Sequence, residues 1–362
     1  MRNLARRTVT ILLFTAAAIA LAPTMVPPFL DRIYYRGPKS GHFDGARFFN
    51  PGFGAYRGGS PTAFFNRWVS GERADWPDRV AVAPTRPPRR VHAAGGPAFP
   101  MLVTWIGHAT VLVQSNGLNI LTDPIWSERA SPFAFAGPRR VRQPGVRFED
   151  LPKIDLVLLS HNHYDHMDLP TLKRLWERDR PLIVTGLGND TILRGSGIPA
   201  RALDWGGRVA LRPGVAVVVE RNHHWSSRWG TDRNRALWSA FTVTLPGGNL
   251  FFAGDTGWGD GSWLGEAAAR GPMRLAIIPI GAYEPRDFMK TNHVNPEEAV
   301  AAFEALRPGV ALGVHWGTFQ LTFEPIDEPR RKLEALKRQR GIAGGRFVTT
   351  EPGQSFSIAP AG

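Results

Sequence analysis

Cysteine is absent from all 362 residues. Disulfides, thiolate metal ligands and a cysteine nucleophile are thereby excluded, and any redox compartment is permitted. Internal repeats are absent too, and low complexity is confined to 84–100, where proline, arginine and glycine cluster. Acidic side chains are scarce beside basic ones, 31 against 44, leaving a net charge of +13. Such an excess favours an anionic partner, either nucleic acid or acidic lipid headgroups. The arginines gather at Arg86-Pro87-Pro88-Arg89-Arg90, Arg139-Arg140-Val141-Arg142 and Arg330-Arg331-Lys332. No nucleic-acid motif accompanies them, so nucleic acid is not expected and a membrane surface with anionic lipid is. The competing reading is arginine scattered over solvated faces.

Long hydrophobic runs are also few. One stands out, Thr8 to Ala22, preceded by Arg2, Arg6 and Arg7. A positive cluster before an apolar run is the pattern of a signal peptide or a single membrane anchor. Ala20-Leu21-Ala22 resembles a cleavage site, but Pro23 directly after it hinders cleavage, which favours an uncleaved anchor. The run is short for a span of about 20 residues, and a peripheral helix is the alternative. Either crossing form places the catalytic body on the non-cytoplasmic side, periplasmic or secreted if the segment is cleaved.

What is present indicates a large globular body: 43% of residues are hydrophobic, enough for a sizeable core. Residues 1–30 form the membrane segment and 31–100 an arm. From Asp31 to Trp76 the arm is rich in Gly, Phe, Tyr and Arg, an irregular stretch expected to pack its aromatics on the body. Regular alternation begins at Met101 and defines the domain 101–362. Strands are expected at Leu102–Trp105, Thr110–Gln114, Asn119–Thr122, Ile154–Leu159, Pro181–Thr185, Val215–Glu220, Ala240–Thr244, Leu250–Ala253, Leu275–Pro279 and Val310–Val314. Helices are expected at Leu169–Arg178, at Pro296–Leu306 with Asn295 as N-cap, and at Glu328–Gln339. Two strand-rich blocks with intervening helices indicate two packed sheets flanked by helices.

The chemistry concentrates in Ser160-His161-Asn162-His163-Tyr164-Asp165-His166, directly behind an apolar strand. Side chains alternate along an extended segment, so His161 and His163 point the same way. A turn after Tyr164 then swings Asp165 and His166 toward a second point. Neutral imidazoles suit zinc and iron, and a carboxylate adds the charge a divalent ion needs. Three further strand ends carry donors: His223-His224 after Val215–Glu220, Asp255 after Leu250–Ala253, and His315 after Val310–Val314. Seven donors suit two metals. We place His161, His163 and His224 on one ion, Asp165, His166 and His315 on the other, and Asp255 between them. Two such ions can supply hydroxide near neutrality and clamp an attacked phosphate or carbonyl.

These strings resemble the metallo-β-lactamase superfamily. Within it, the resemblance narrows to the N-acylphosphatidylethanolamine-hydrolysing phospholipase D family. The narrowing rests on Thr104-Trp105-Ile106-Gly107-His108-Ala109-Thr110, Thr122-Asp123-Pro124-Ile125-Trp126 and His224-Trp225-Ser226. It rests also on Ile280-Gly281-Ala282-Tyr283-Glu284-Pro285-Arg286, His293-Val294-Asn295-Pro296 and His315-Trp316-Gly317-Thr318-Phe319. The resemblance implies an α+β four-layer αββα sandwich and two zinc ions, with iron or manganese able to use the same donors. It also implies hydrolysis of a phospholipid phosphodiester, releasing N-acylethanolamine and leaving phosphatidic acid. A lactonase or small-molecule phosphodiesterase of the same fold is the alternative, and a non-enzymatic lipid-binding scaffold a third reading. The family pattern puts the ligand immediately before the aromatic residue, which selects His224 and leaves His223 beside the ligands. His108, Asp123 and Tyr283 are further candidates for supporting the ligands. Asp165 and Asp255 are expected to act in catalysis, and His293 to protonate the leaving alkoxide or bind phosphate. A second copy of the chain is a further candidate partner.

Overall fold

The computed structural model describes residues 8–18, 32–52, 61–91 and 100–360. Its first sheet has the order β14-β1-β2-β3-β4-β5-β6. These strands are β1 (Met101–Gly107), β2 (Thr110–Ser115), β3 (Leu118–Thr122), β4 (Leu156–Leu159), β5 (Leu182–Gly186), β6 (Arg201–Leu203) and β14 (Ser355–Ile358). The second sheet has the order β13-β12-β11-β10-β9-β8-β7. It contains β7 (Arg208–Arg212), β8 (Val215–Glu220), β9 (Ala240–Thr244), β10 (Asn249–Phe252), β11 (Met273–Pro279), β12 (Val310–Val314) and β13 (Phe347–Val348).

Strand alternation builds the layers. In β2, Val111 and Val113 join the core between the sheets, while Leu112 joins a second cluster on the outer face. β4 repeats the pattern, with Leu156 and Leu158 inward and Val157 and Leu159 outward. Each such side chain, fully buried, contributes about 1.5–3 kcal/mol. In chain order the helices are α1 (8–18), α2 (Pro61–Val69), α3 (Leu169–Asp179), α4 (Asn189–Arg194), α5 (Ser262–Ala268), α6 (Arg286–Met289), α7 (Pro296–Leu306) and α8 (Glu328–Gln339). Leu172 and Leu175 of α3 and Leu193 of α4 cover the first sheet's outer face. Trp263 and Leu264 of α5, Val300 and Phe303 of α7 and Leu333 of α8 cover the second. The result is the four-layer αββα sandwich of the metallo-β-lactamase fold.

Strand sense then fixes where the site lies. β3, β4 and β5 run parallel, and β1 shares their direction because it is antiparallel to β2, itself antiparallel to β3. In the second sheet β10, β11 and β12 are parallel, and β8 has their sense through β9. The carboxyl ends of β1, β3 and β4 lead into His108, Asp123 and the His161–His166 loop. Those of β8, β10, β11 and β12 lead toward His224, Asp255, His293 and His315. α7 begins where its signals say: Asn295 and Glu298 form a reciprocal capping box, with proline at the first position.

Two expectations need correction. The arm is not irregular throughout, because α2 forms within it and packs Phe64 against Phe288 and Phe323, with ring centroids 4.8 and 5.0 Å away. Other aromatics of the arm do reach the body: Phe43 and Phe48 are buried against Leu237 and Trp238, whereas Phe49 and Phe65 stay exposed. The membrane segment is not supported by the described residues. α1 covers only 8–18, about half of the roughly 20 residues a span requires. No helix among the described residues is long and apolar enough to cross a membrane. The remainder of the expected segment, 1–7 and 19–31, lies outside them.

Candidate metal centre

The loop after β4 turns tightly once past Tyr164, with the His166 and Met167 amides donating to the His163 carbonyl at 3.1 and 2.8 Å. This turn separates its four donors into two groups. In the first, His161 Nε2 lies 2.8 Å from His163 Nδ1, and His224 Nε2 lies 3.4 Å from the same atom. In the second, His166 Nε2 lies 3.2 Å from both His315 Nε2 and Asp165 Oδ2. Asp255 Oδ2 stands 2.9 Å from His166 Nε2 and 3.0 Å from His315 Nε2. Asp255 also shares a compact group with His224 and His293, all ligand atoms within 4.8 Å, so it lies between the two clusters.

Hydrogen bonds set the tautomers. Ser160 Oγ donates to Asp123 Oδ2 at 2.5 Å, so it accepts from His161 Nδ1 at 2.9 Å. His161 Nε2 therefore carries a lone pair. His224 Nδ1 donates to the Asn292 carbonyl at 2.9 Å, which likewise turns its Nε2 lone pair inward. His166 Nδ1 donates to Asp123 Oδ2 at 2.6 Å, again leaving Nε2 to face the cluster. Buried lone pairs converging on one small volume are costly unless a cation fills it. The donor set fits a metal on this ground.

The charges agree. Burial pushes His161 well below the usual histidine value, and His163, His224 and His293 down to about 3, so these imidazoles are neutral, the form that binds metal. Burial opposes the charges on Asp165 and Asp255, yet His166 and its neighbours hold both carboxyls well below the carboxylate range. Burial also opposes protonation of His166 and His315. The surrounding aspartates outweigh it, raising His166 well above its ordinary value and His315 to about 9. A concentration of buried negative charge is what divalent cations neutralise.

The supporting candidates divide. His108 Nε2 meets Asp165 Oδ2 at 2.8 Å and groups with Asp165, His166 and His315. Asp123 takes three donors: the Ser160 amide, the Ser160 hydroxyl and His166. His293 is buried beside Asp255, with Nε2 3.9 Å from Oδ2. His223 joins none of the clusters, because its Nδ1 bonds the Thr291 carbonyl at 3.0 Å and its ring rests on Gly259. Tyr283 is a correction: its hydroxyl donates to Glu328 Oε1 on α8 at 2.7 Å and does not reach the clusters. Its neighbour Arg286 does connect, donating to the His293 carbonyl at 2.8 Å while paired with Glu298.

Some supports left no mark in the sequence. Asn50 of the arm donates to the His224 carbonyl at 2.9 Å and accepts from Trp238 at 3.0 Å. Asn222 bridges the carbonyls of Ala253 and Asp255, each at 2.9 Å. Gly254 has φ +59, and a Cβ there would lie 2.8 Å from that of Ser160, so only glycine lets these two loops touch. Ser160 had a signal in its place directly before His161, and Gly254 in its place beside Asp255, where a small residue fits a turn that lets the carboxylate approach closely.

Comparison with known proteins accords with this geometry. Residues 118–316 match the family described as the β-lactamase superfamily domain. An N-acyl-phosphatidylethanolamine-hydrolyzing phospholipase D from Caenorhabditis elegans is 38% identical over 72% of this chain and 76% of its own length. The mitochondrial protein of that name from Saccharomyces cerevisiae is 34% identical over 70% of this chain and 56% of its own. Among solved structures, a metallo hydrolase from Ignicoccus hospitalis shares the fold with a TM-score of 0.54 at 22% identity, covering 71% of this chain and 98% of that one. The chain therefore belongs to the β-lactamase superfamily and, within it, to the family of N-acyl-phosphatidylethanolamine-hydrolysing phospholipase D proteins, and it is a metal-dependent hydrolase.

Proposed function

We propose that the protein is a two-zinc phosphodiesterase that hydrolyses N-acyl-phosphatidylethanolamine to N-acylethanolamine and phosphatidic acid. One observation carries this reading: two donor clusters lie side by side with Asp255 between them. His161, His163 and His224 would hold one ion, and Asp165, His166 and His315 the other. Bound there, two such ions would acidify water and neutralise charge on an attacked phosphate. Iron or manganese could occupy the same nitrogen and oxygen donors.

The chain's own residues supply orientation. His108 aims the Asp165 carboxylate, and Asp123 fixes the ring of His166 while holding Ser160 against His161. His293 is neutral at pH 7, so it would offer an N–H to the leaving oxygen and not a full acidic proton. Arg286 holds the His293 backbone in place. A phospholipid substrate makes the membrane surface a partner, with anionic lipid drawn by the net charge of +13. The apolar helix α1 would lie at that surface; a non-cytoplasmic body would require the segment around it to cross.

The test supplies zinc-loaded protein with N-acyl-phosphatidylethanolamine in vesicles and, separately, with a soluble phosphodiester. Asp255→Asn and His315→Ala run alongside wild type. Wild type should release N-acylethanolamine and phosphatidic acid, and both variants should lose turnover together with bound metal. Turnover of the soluble diester without lipid cleavage would sink the phospholipase reading. Undiminished turnover in both variants would sink the metal centre.

A further inference from the structure

The segment between β3 and β4 contains a loop unlike the rest of the surface. Phe133 is 51% exposed and Phe135 81% exposed. Their rings stand 5.5 Å apart at the tip, a small apolar knob held clear of the body. The stem beneath is closed. The Ala130 amide donates to the Pro138 carbonyl at 3.0 Å, Arg140 N to the Glu128 carbonyl at 2.8 Å, and Arg129 Nη1 to the Gly137 carbonyl at 2.6 Å.

The base is tied to the metal centre. Arg140 is buried, donates to the Ile125 carbonyl at 2.9 Å, and lies 4.8 Å over the ring of Phe319. Phe319 in turn meets the ring of His108 edge-on at 5.3 Å. One flank of the stem, at Arg129, Ser131 and Pro132, shares a cavity of about 600 Å³ with Arg32, Trp229 and Tyr164 of the ligand loop. The other flank, at Pro138 and Arg139, shares a cleft with Trp68 and Arg73. Among the described residues Arg32, Arg73 and Arg129 have no carboxylate partner, with Arg73 stacked on Trp68. Asp168 and Asp78 line the same two cavities, and with Arg228 and Arg139 also there the balance around the aromatic tip stays positive.

We propose that the loop 129–139 docks the protein on an anionic bilayer, with Phe133 and Phe135 entering the acyl region and the surrounding arginines meeting lipid phosphates. It rests on the phospholipid reading above. Size separates a bilayer from a protein partner. Two phenylalanines bury roughly 300–500 Å² between them, far below the roughly 1,200–2,000 Å² of a stable protein interface. A bilayer needs no complementary shape, only apolar burial beside cationic side chains. Because the stem is rigid and its base touches His108 through Phe319, the depth of the tip fixes the height of the metal centre above the lipid.

The absence of cysteine makes the test clean, because Ala134→Cys accepts a single environment-sensitive fluorophore at the exposed tip. The full chain so labelled is mixed with vesicles of phosphatidylglycerol and phosphatidylcholine, then with phosphatidylcholine alone. The probe reports the loop itself, even if the apolar helix at 8–18 keeps the protein on the vesicles. Its emission should shift to the blue on anionic vesicles and be quenched by brominated acyl chains. Phe133→Ser with Phe135→Ser should weaken that insertion at least roughly tenfold, while leaving soluble-diester turnover unchanged. Arg129→Gln should bring the anionic signal toward the neutral-vesicle level, as should added salt. A label that stays in water on anionic vesicles overturns the proposal. So does a shift that grows with protein concentration in the absence of lipid, which would assign the tip to a second copy. Insertion without lipid hydrolysis leaves the docking standing and sinks the phospholipase reading. Lipid hydrolysis that ignores both tip substitutions does the reverse.

Discussion

His108, Asp123 and His315 adopt left-handed backbone angles, with φ of 54°, 29° and 63°, although none is glycine. Each such residue costs about 1–3 kcal/mol, and the surroundings must hold it there. They do: the His108 amide donates to Thr318 Oγ1 at 2.9 Å, and the His315 amide donates to the His108 carbonyl at 3.0 Å. Asp123 is pinned by its three donors. Asp123→Asn keeps the volume but puts an NH2 where one carboxylate oxygen accepted, so it faces a donor, either the Ser160 amide or the Ser160 hydroxyl with His166. We expect metal affinity to fall about 10–100-fold, read by competition with a chromogenic chelator. Gly254→Ala would force a side chain against Ser160 and the Ser239 carbonyl at a left-handed position. We expect a loss of about 2–4 kcal/mol in urea unfolding, with metal content reduced because Asp255 is the next residue. At this scale the donors were legible, since histidine and aspartate at strand ends announce themselves. Asn50 and Asn222 were not, because they act through backbone carbonyls and depend on contacts between segments far apart in sequence.

Among the elements, β8, β9, β12, α7 and α8 have the bounds their apolar patterns and caps indicate. β7 escaped notice. Its sequence Arg-Val-Ala-Leu-Arg alternates exposed and half-buried positions at a sheet edge, so no apolar run marks it. β6, β13 and β14 are short or edge strands, fixed by pairing more than by composition. Another tertiary link lies behind β11, where buried Glu324 accepts the amides of Ala282 at 2.6 Å and Glu284 at 3.2 Å. Burial raises its pKa by more than these hydrogen bonds lower it. A carboxyl raised on folding contributes stability that is fully present below its unfolded value of about 4.3 and lost as pH rises through the folded value. Wild type should therefore lose stability relative to Glu324→Gln as pH climbs above about 4.3. Urea midpoints across that range measure it, and parallel curves would refute the assignment.

For the whole molecule, the clusters draw on both sheets. His161 and His163 come from the first sheet and His224 from the second; Asp165 and His166 come from the first, His315 and Asp255 from the second. Bound metal should consequently hold the sandwich together. Ligand at a thousandfold excess over its dissociation constant stabilises by about 4 kcal/mol. Chelation should lower Tm by at least about 5 °C, and zinc should restore it. An unchanged Tm would show that the sheets stay docked without the ions. The two sheets were foreseeable as successive strand-rich blocks. Their mutual placement was not, because β14 leaves the second block and returns to pair with β1, a connection that no local pattern encodes.

This division has a temporal side. Translation delivers the first sheet's donors by His166, and the second sheet's only from His224 onward, ending with His315. Until then the early histidines form half of a socket, able to take an ion only loosely. Tight metal uptake thus records that two separately made half-sandwiches have met in register, and the centre doubles as a check that the chain has been assembled correctly.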